Sequence, residues 1–216
     1  MKNLKNRLLF NINYFLLWIG YFVFARFYFL VFYIDKTKEL NFSTILKTFL
    51  YGLRLDSSFA AYLCFIPFLF IAFSAIIQPK KIGFIIKWYS YFLIIIINLL
   101  LMMDAGLYEA WGIRLDTTFL NYINTPEVMI ASTSNFQLIF GSIFWLILSI
   151  IFIKIFNKII TKRINILKKG NNLQIPALLL ITVALIIPVR GGLQTIPINQ
   201  SNVYFSDKMF ANHAAN

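Results

Sequence analysis

Two eight-residue stretches carry the side chains best suited to polar chemistry. They are Gly52-Leu53-Arg54-Leu55-Asp56-Ser57-Ser58-Phe59 and Gly112-Ile113-Arg114-Leu115-Asp116-Thr117-Thr118-Phe119. Identical or conservative at every position and sixty residues apart, they form a short internal repeat. Each offers a guanidinium, a carboxylate and hydroxyls. Arginine keeps its charge and presents a planar fork of donors that matches phosphate oxygens, so Arg54 and Arg114 are candidates to hold one anionic lipid head group between them. The same residues also suit a structural role. Asp56 or Ser57 can cap the helix that follows, and the two Arg–Asp pairs, with Asp56 and Asp116, can neutralise each other across the two loops.

A third arginine, Arg26, lies inside an apolar run. An ionisable side chain there is costly and faces a bundle interior or a polar cavity. Asp104 stands at comparable depth in another apolar run and is the expected partner, with Glu109 in reserve. Arg26 then makes a structural ion pair, snorkels to the lipid head groups, or lines a pocket for one of them. No nucleophile, base or metal constellation accompanies these residues, and no Walker or GxGxxG loop is present, so no catalytic residue and no metal ligand is assigned. His213, the one histidine, is expected to be a solvated tail residue, and Cys64, the one cysteine, cannot form an intrachain disulfide.

The elements that must position these groups are membrane helices. The chain is 60% hydrophobic and 13% charged, with a mean hydropathy of +0.75, too little charge to cover a soluble domain of 216 residues. Five segments are apolar over about the 20 residues a crossing needs: 8–34, 58–77, 84–103, 136–153 and 173–189. Pro176 is tolerable in the last because the first helical turn has no N–H partner to lose. The first follows Lys2, Lys5 and Arg7 as a signal peptide would, but it is too long and lacks a small-x-small cleavage pattern, so it should remain. With the N-terminus inside, twelve of the twenty Lys and Arg side chains face the cytoplasm, seven face outward and Arg26 lies in a span. All eight acids fall outside or at the outer boundary. Basic residues set orientation, so the N-terminus is expected in the cytoplasm and the C-terminus outside. The net charge of +12 lies in short blocks between spans, which is a topology signal and not a nucleic-acid face.

The expected fold is therefore all-α: a polytopic bundle of five transmembrane helices over residues 1–190, with an extracytoplasmic linker over 191–216. Apolar residues at helical spacing in 41–53 predict a short amphipathic helix, lying in the head-group layer or packed over the bundle. Thr125-Pro126-Glu127 has the order N-cap, N1, first-turn acid and predicts another short helix through 128–132.

The end of the chain reads Pro188-Val-Arg-Gly-Gly192, Pro197-Ile-Asn-Gln-Ser-Asn-Val-Tyr-Phe-Ser206 and Phe210-Ala-Asn-His-Ala-Ala-Asn216. It resembles the linker between the membrane and catalytic domains of lipoteichoic-acid-synthase-like proteins of the sulfatase family, within the alkaline-phosphatase superfamily. Five spans and the Gly-Leu-Arg-Leu-Asp loop before the second fit the same resemblance. It implies a bacterial cytoplasmic-membrane protein that anchors, and presents membrane lipid to, an extracytoplasmic α/β domain. In that domain a threonine nucleophile and a manganese or zinc site would transfer or hydrolyse phosphoglycerol or phosphoethanolamine groups. These 216 residues do not contain it, so they are expected to be inactive alone, with lipids, including anionic phospholipid, as partners. A self-contained transporter subunit and a membrane interaction protein are the alternatives. Transporters usually carry inverted repeats or helices broken near the midplane, whereas here interruptions of spans are few, Pro67 and Gly141 among them.

Overall fold

The computed structural model describes residues 2–116 and 135–216, and every regular element among them is helical. In chain order these are α1 (Lys2–Phe32), α2 (Ile34–Lys38), α3 (Phe42–Phe73), α4 (Pro79–Trp111), α5 (Asn135–Ile164), α6 (Gln174–Ala184), α7 (Ile186–Val189), a 3-10 turn (Gln200–Val203) and α8 (Met209–Ala215). Four of them, α1, α3, α4 and α5, are long and apolar enough to cross a membrane. Their free faces carry large apolar side chains such as Leu16, Phe27, Phe65, Phe92 and Ile147, each more than a third exposed, the pattern of a lipid-facing surface.

Each long helix outruns its apolar window at one end or both, because hydropathy marks the hydrocarbon zone while backbone hydrogen bonding continues into the polar zone beyond it. The largest difference is at α3. The amphipathic 41–53 stretch is not a separate surface helix; it is the first part of one 32-residue helix. Asn41 is its N-cap, its side chain accepting from the Thr44 N–H at 2.7 Å. Asp56 and Ser57 therefore sit inside a helix and cap nothing. Their capping propensity yields to the continuous apolar periodicity on both sides.

Pro67 stands inside α3 and leaves the Leu63 carbonyl without its intrahelical donor. The Tyr89 hydroxyl from α4 donates to that carbonyl at 3.1 Å, so the helix continues through the proline. Pro79 opens α4 at a position where no N–H is needed. Gly112 ends it with φ +68°, its N–H donating to the Tyr108 carbonyl at 2.9 Å.

The fifth apolar segment is shorter and interrupted. Pro188 cannot donate to the Ala184 carbonyl, and α6 ends at that residue. Pro176 falls in the first turn of α6, as the sequence suggested. Together α6 and α7 span about 24 Å at 1.5 Å per residue, less than the roughly 30 Å of a hydrocarbon core. They run antiparallel to α3: the Gly170 N–H donates to the Ala75 carbonyl at one end, and Ser58 Oγ donates to the Val189 carbonyl at the other.

Two compact units divide the chain, Met1–Tyr89 with Phe156–Asn216, and Ser90–Ile155. In the first, α1 packs on α3, and its buried Phe10, Tyr14, Trp18, Tyr21 and Phe29 stand at helical spacing. Phe156 of α5 closes on the Trp18 ring at 4.8 Å between centroids, and Phe59 of α3 on Phe22 at 5.2 Å. In the second unit, buried Asn98 of α4 donates to Ser149 Oγ of α5 at 3.1 Å. The helix predicted through 128–132 and residues 117–119 of the repeat lie outside the described residues.

If Tyr89 is the substitute donor for Leu63, then Tyr89→Phe should lower stability in detergent by about 0.5–1.5 kcal/mol, the net worth of one hydrogen bond. Thermal unfolding followed by helicity checks this; an unchanged midpoint would mean the proline is tolerated without Tyr89.

Candidate functional site

The first copy of the repeat builds a buried charge site, and its glycine and aspartate do so with no part for its arginine. Gly52 and Asp56 are one helical turn apart on the buried face of α3 and meet Arg26 of α1. Arg26 Nη1 and Nη2 donate to the two Asp56 carboxylate oxygens at 2.6 and 2.9 Å, a bidentate pair with both side chains almost fully buried. Nε and Nη2 of Arg26 also donate to the Ala214 and Ala215 carbonyls at 3.0 and 3.2 Å. Those carbonyls end α8 and carry the partial negative charge of a helix C-terminus. A Cβ on Gly52 would overlap the Arg26 guanidinium and lie 2.6 Å from the Ala215 carbonyl oxygen. Glycine is required here for close approach, and the guanidinium is held between α3 and the tail.

Sequence reasoning had paired Arg26 with Asp104. The structure gives Asp104 another partner: Arg114 Nε stands 2.7 Å from its carboxylate, which also accepts from the Leu115 N–H at 2.7 Å. The second copy of the repeat thus turns back on the helix it follows, beyond the stop at Gly112. The first copy lies wholly within α3, so the two copies share sequence and not conformation over the described residues. Glu109 and Asp116 are exposed.

The tail is seated on the Arg26 end of the first unit. Phe205 stacks on Tyr51 at 4.8 Å, and Phe210 stacks on Phe29 at 5.8 Å. The Asn212 side chain accepts from the N–H groups of Phe205 and Ser206 and donates to the Ser206 carbonyl. Lys208 Nζ donates to the Glu39 carbonyl. Ala211–Ala215 are all buried, so His213 is not the solvated tail histidine expected; a short alanine-rich helix against Gly52 has drawn it inside. Nothing in the tail's mixed composition announced that docking.

At the opposite end of α1, fully buried Arg7 holds three segments together. Its Nε and Nη2 donate to Ser74 Oγ and the Ser74 carbonyl, each at 2.9 Å, and Nη2 also donates to the Lys168 carbonyl at 2.8 Å. Nη1 donates to Gln174 Oε1 at 3.1 Å. The sequence had suggested only a topology charge. Arg7 and Arg26 are about 28 Å apart along the helix, close to the thickness of a hydrocarbon core.

Arg54, exposed on α3, opens onto a cleft of about 240 Å³ lined with Leu50, Leu53, Ser57, Pro188 and Gly191. Its Nη2 donates to Gln194 Oε1 at 3.3 Å. Among the described residues no three His, Cys, Asp or Glu side chains gather as metal ligands would. No family model, curated protein or solved structure matches the chain.

Removing one member of the Arg26–Asp56 pair strands a buried charge, so Arg26→Met or Asp56→Leu should each cost roughly 3–5 kcal/mol of stability. The double variant should recover most of that loss. Unfolding of the three variants in detergent checks this; equal losses in single and double variants would deny the pair its coupling.

Proposed function

We propose that this chain is the membrane anchor and lipid-presenting module of a sulfatase-family, lipoteichoic-acid-synthase-like enzyme. Its phosphate chemistry would reside in an extracytoplasmic domain that these residues do not include, and manganese or zinc would belong there. The supporting observation is the seating of the tail. Residues 203–215 are bound back to α1 and α3 by Arg26 and two aromatic stacks, and the Asn212 bonds brace the tail on itself. A passive tether needs no such bonds. A segment that must hold a following domain at a set place over the bilayer does.

In this reading five segments cross, with α6 and α7 as the fifth. Their length is sufficient because they bridge the same two levels as α3, from the Arg7 network to Ser58, and α3 shields Leu178 and Thr182. The Arg7 end is cytoplasmic: the stretches 78–87 and 154–169 carry Lys80, Lys81, Lys158, Lys162, Lys168 and Lys169, and neither contains an acid. The Arg26 end, with the Arg54 cleft and the tail, faces outward in the bacterial cytoplasmic membrane. The charge asymmetry and the seated tail favour this over a self-contained transporter.

Reporter fusions test it. Fusions after Lys81 and within 158–169 should report cytoplasm, and fusions after Gln200 should report the outside. A cytoplasmic signal at Gln200 would remove one crossing and put the tail on the wrong side for an extracytoplasmic domain.

A further inference from the structure

We propose that the outward face of α5 around Lys158 and Lys162 docks a membrane helix of another protein, one that carries carboxylates a turn apart. The surface rests on the crossing proposed above for the level of the bilayer. Phe156 sets its depth: the ring stands 4.8 Å from Trp18 and 6.1 Å from Tyr14 between centroids. Tyr14 and Trp18 lie about 10 and 16 Å from Arg7 along α1 at 1.5 Å per residue. α5 runs antiparallel to α1, since the carbonyl of Lys168, just past its end, accepts from Arg7. Lys158, two residues on from Phe156, is therefore about 8–14 Å from the Arg7 level, well inside the roughly 28 Å that separate Arg7 and Arg26.

At that depth the other helices turn apolar side chains outward: Ile12 and Leu16 of α1 and Phe65 of α3 are exposed. α5 does not. Its buried face is apolar, with Phe156, Ile160 and Ile164 one turn apart, and its exposed face carries Asn157, Lys158 and Lys162. Asn157 Oδ1 accepts from the Thr161 hydroxyl at 3.1 Å. Neither lysine enters an ion pair among the described residues. An ammonium facing hydrocarbon is costly and is found where a polar partner or water meets it. A lysine stem reaches about 6 Å, which brings Lys162 near the boundary and leaves Lys158 short of it.

The counter-charge has to come from another molecule. The stretches 1–34, 57–103 and 128–206 contain no acid, so this chain brings none to the Arg7 half of its helices. A second copy in the same orientation brings none either. Lipid phosphate stays at the boundary, beyond the reach of Lys158. A partner helix does reach it: at an interaxial distance of about 8–10 Å its side chains interleave with those of α5. Glu or Asp residues one turn apart on that helix match Lys158 and Lys162, which are themselves one turn apart. Low dielectric surroundings strengthen such pairs, and they select an acidic helix over a neutral one.

The test uses the full chain in phosphatidylcholine nanodiscs and reads depth first. In a Cys64→Ala background, a fluorophore on Lys158→Cys should be quenched by lipid brominated in mid-chain more strongly than one on Lys80→Cys. Equal quenching would put position 158 at the surface and overturn the bilayer level itself. The partner is read next, with a labelled Leu-Ala transmembrane peptide that carries two Glu residues one turn apart, and with its Gln counterpart. The Glu peptide should bind roughly tenfold tighter. Lys158→Gln should remove most of that preference at unchanged helicity, whereas Lys80→Gln, an exposed cation at the same end, should leave it nearly unchanged. Equal binding of the two peptides, or a full preference in Lys158→Gln, would overturn the docking surface. Displacement of the Glu peptide by phosphatidylglycerol would overturn it in favour of a head-group site. A deep position 158 with equal peptide binding therefore sinks the docking surface alone and leaves the crossing intact.

Discussion

A guanidinium and a carboxylate buried between two apolar helices cannot part without leaving a charge among hydrocarbon groups. That constraint organises the Arg26 end of the first unit. Arg26 fixes the register of α1 against α3 through Asp56, and requires glycine at position 52 so that the backbones can approach. Its remaining donors need acceptors, and the last carbonyls of α8 provide them. Tail docking is therefore a consequence of satisfying a buried arginine. Arg7 applies the same rule at the other end of α1, with carbonyl, hydroxyl and amide oxygens in place of a carboxylate.

The apolar architecture was legible in the sequence because it rests on segment length and hydropathy. The four long helices appear where apolar windows predicted them. α1 and α4 begin one to two turns early, and α3 begins sixteen residues early; α4 and α5 run on by two to three turns, and α1 and α3 stop two and four residues short. The fifth segment was legible as apolar, but its break depends on Pro188 acting on Ala184, a local bond that a hydropathy window does not register. The 41–53 stretch was read as a separate helix because its pattern is amphipathic. In the structure its Thr48 and Gly52 are buried, and Gly52 with Asp56 just beyond the stretch faces the polar Arg26 and not an apolar core.

The candidate site was less legible, for a physical reason. Arg26, Arg54, Asp56, Asp104 and Arg114 were all recognised as polar groups with work to do, yet Arg26 was paired with Asp104 by estimated depth and the others through the repeat. Depth does not determine which helices are neighbours. The available signal was the Gly52-x-x-x-Asp56 spacing, which puts a gap and a carboxylate on one face of a helix, as a buried guanidinium requires. The turn that returns Gln194 to Arg54 has no periodic signature.

The central claim is that Arg26 seats the tail. It is tested most directly by replacing Cys64 with alanine, placing cysteines at 51 and 205, where Tyr51 and Phe205 stack, and measuring cross-linking with a short thiol reagent. The account predicts efficient cross-linking with Arg26 present and a loss of several-fold when Arg26 is changed to Met in the same helical, folded protein. Equal cross-linking in both would contradict it, because the tail would then be held without the buried arginine.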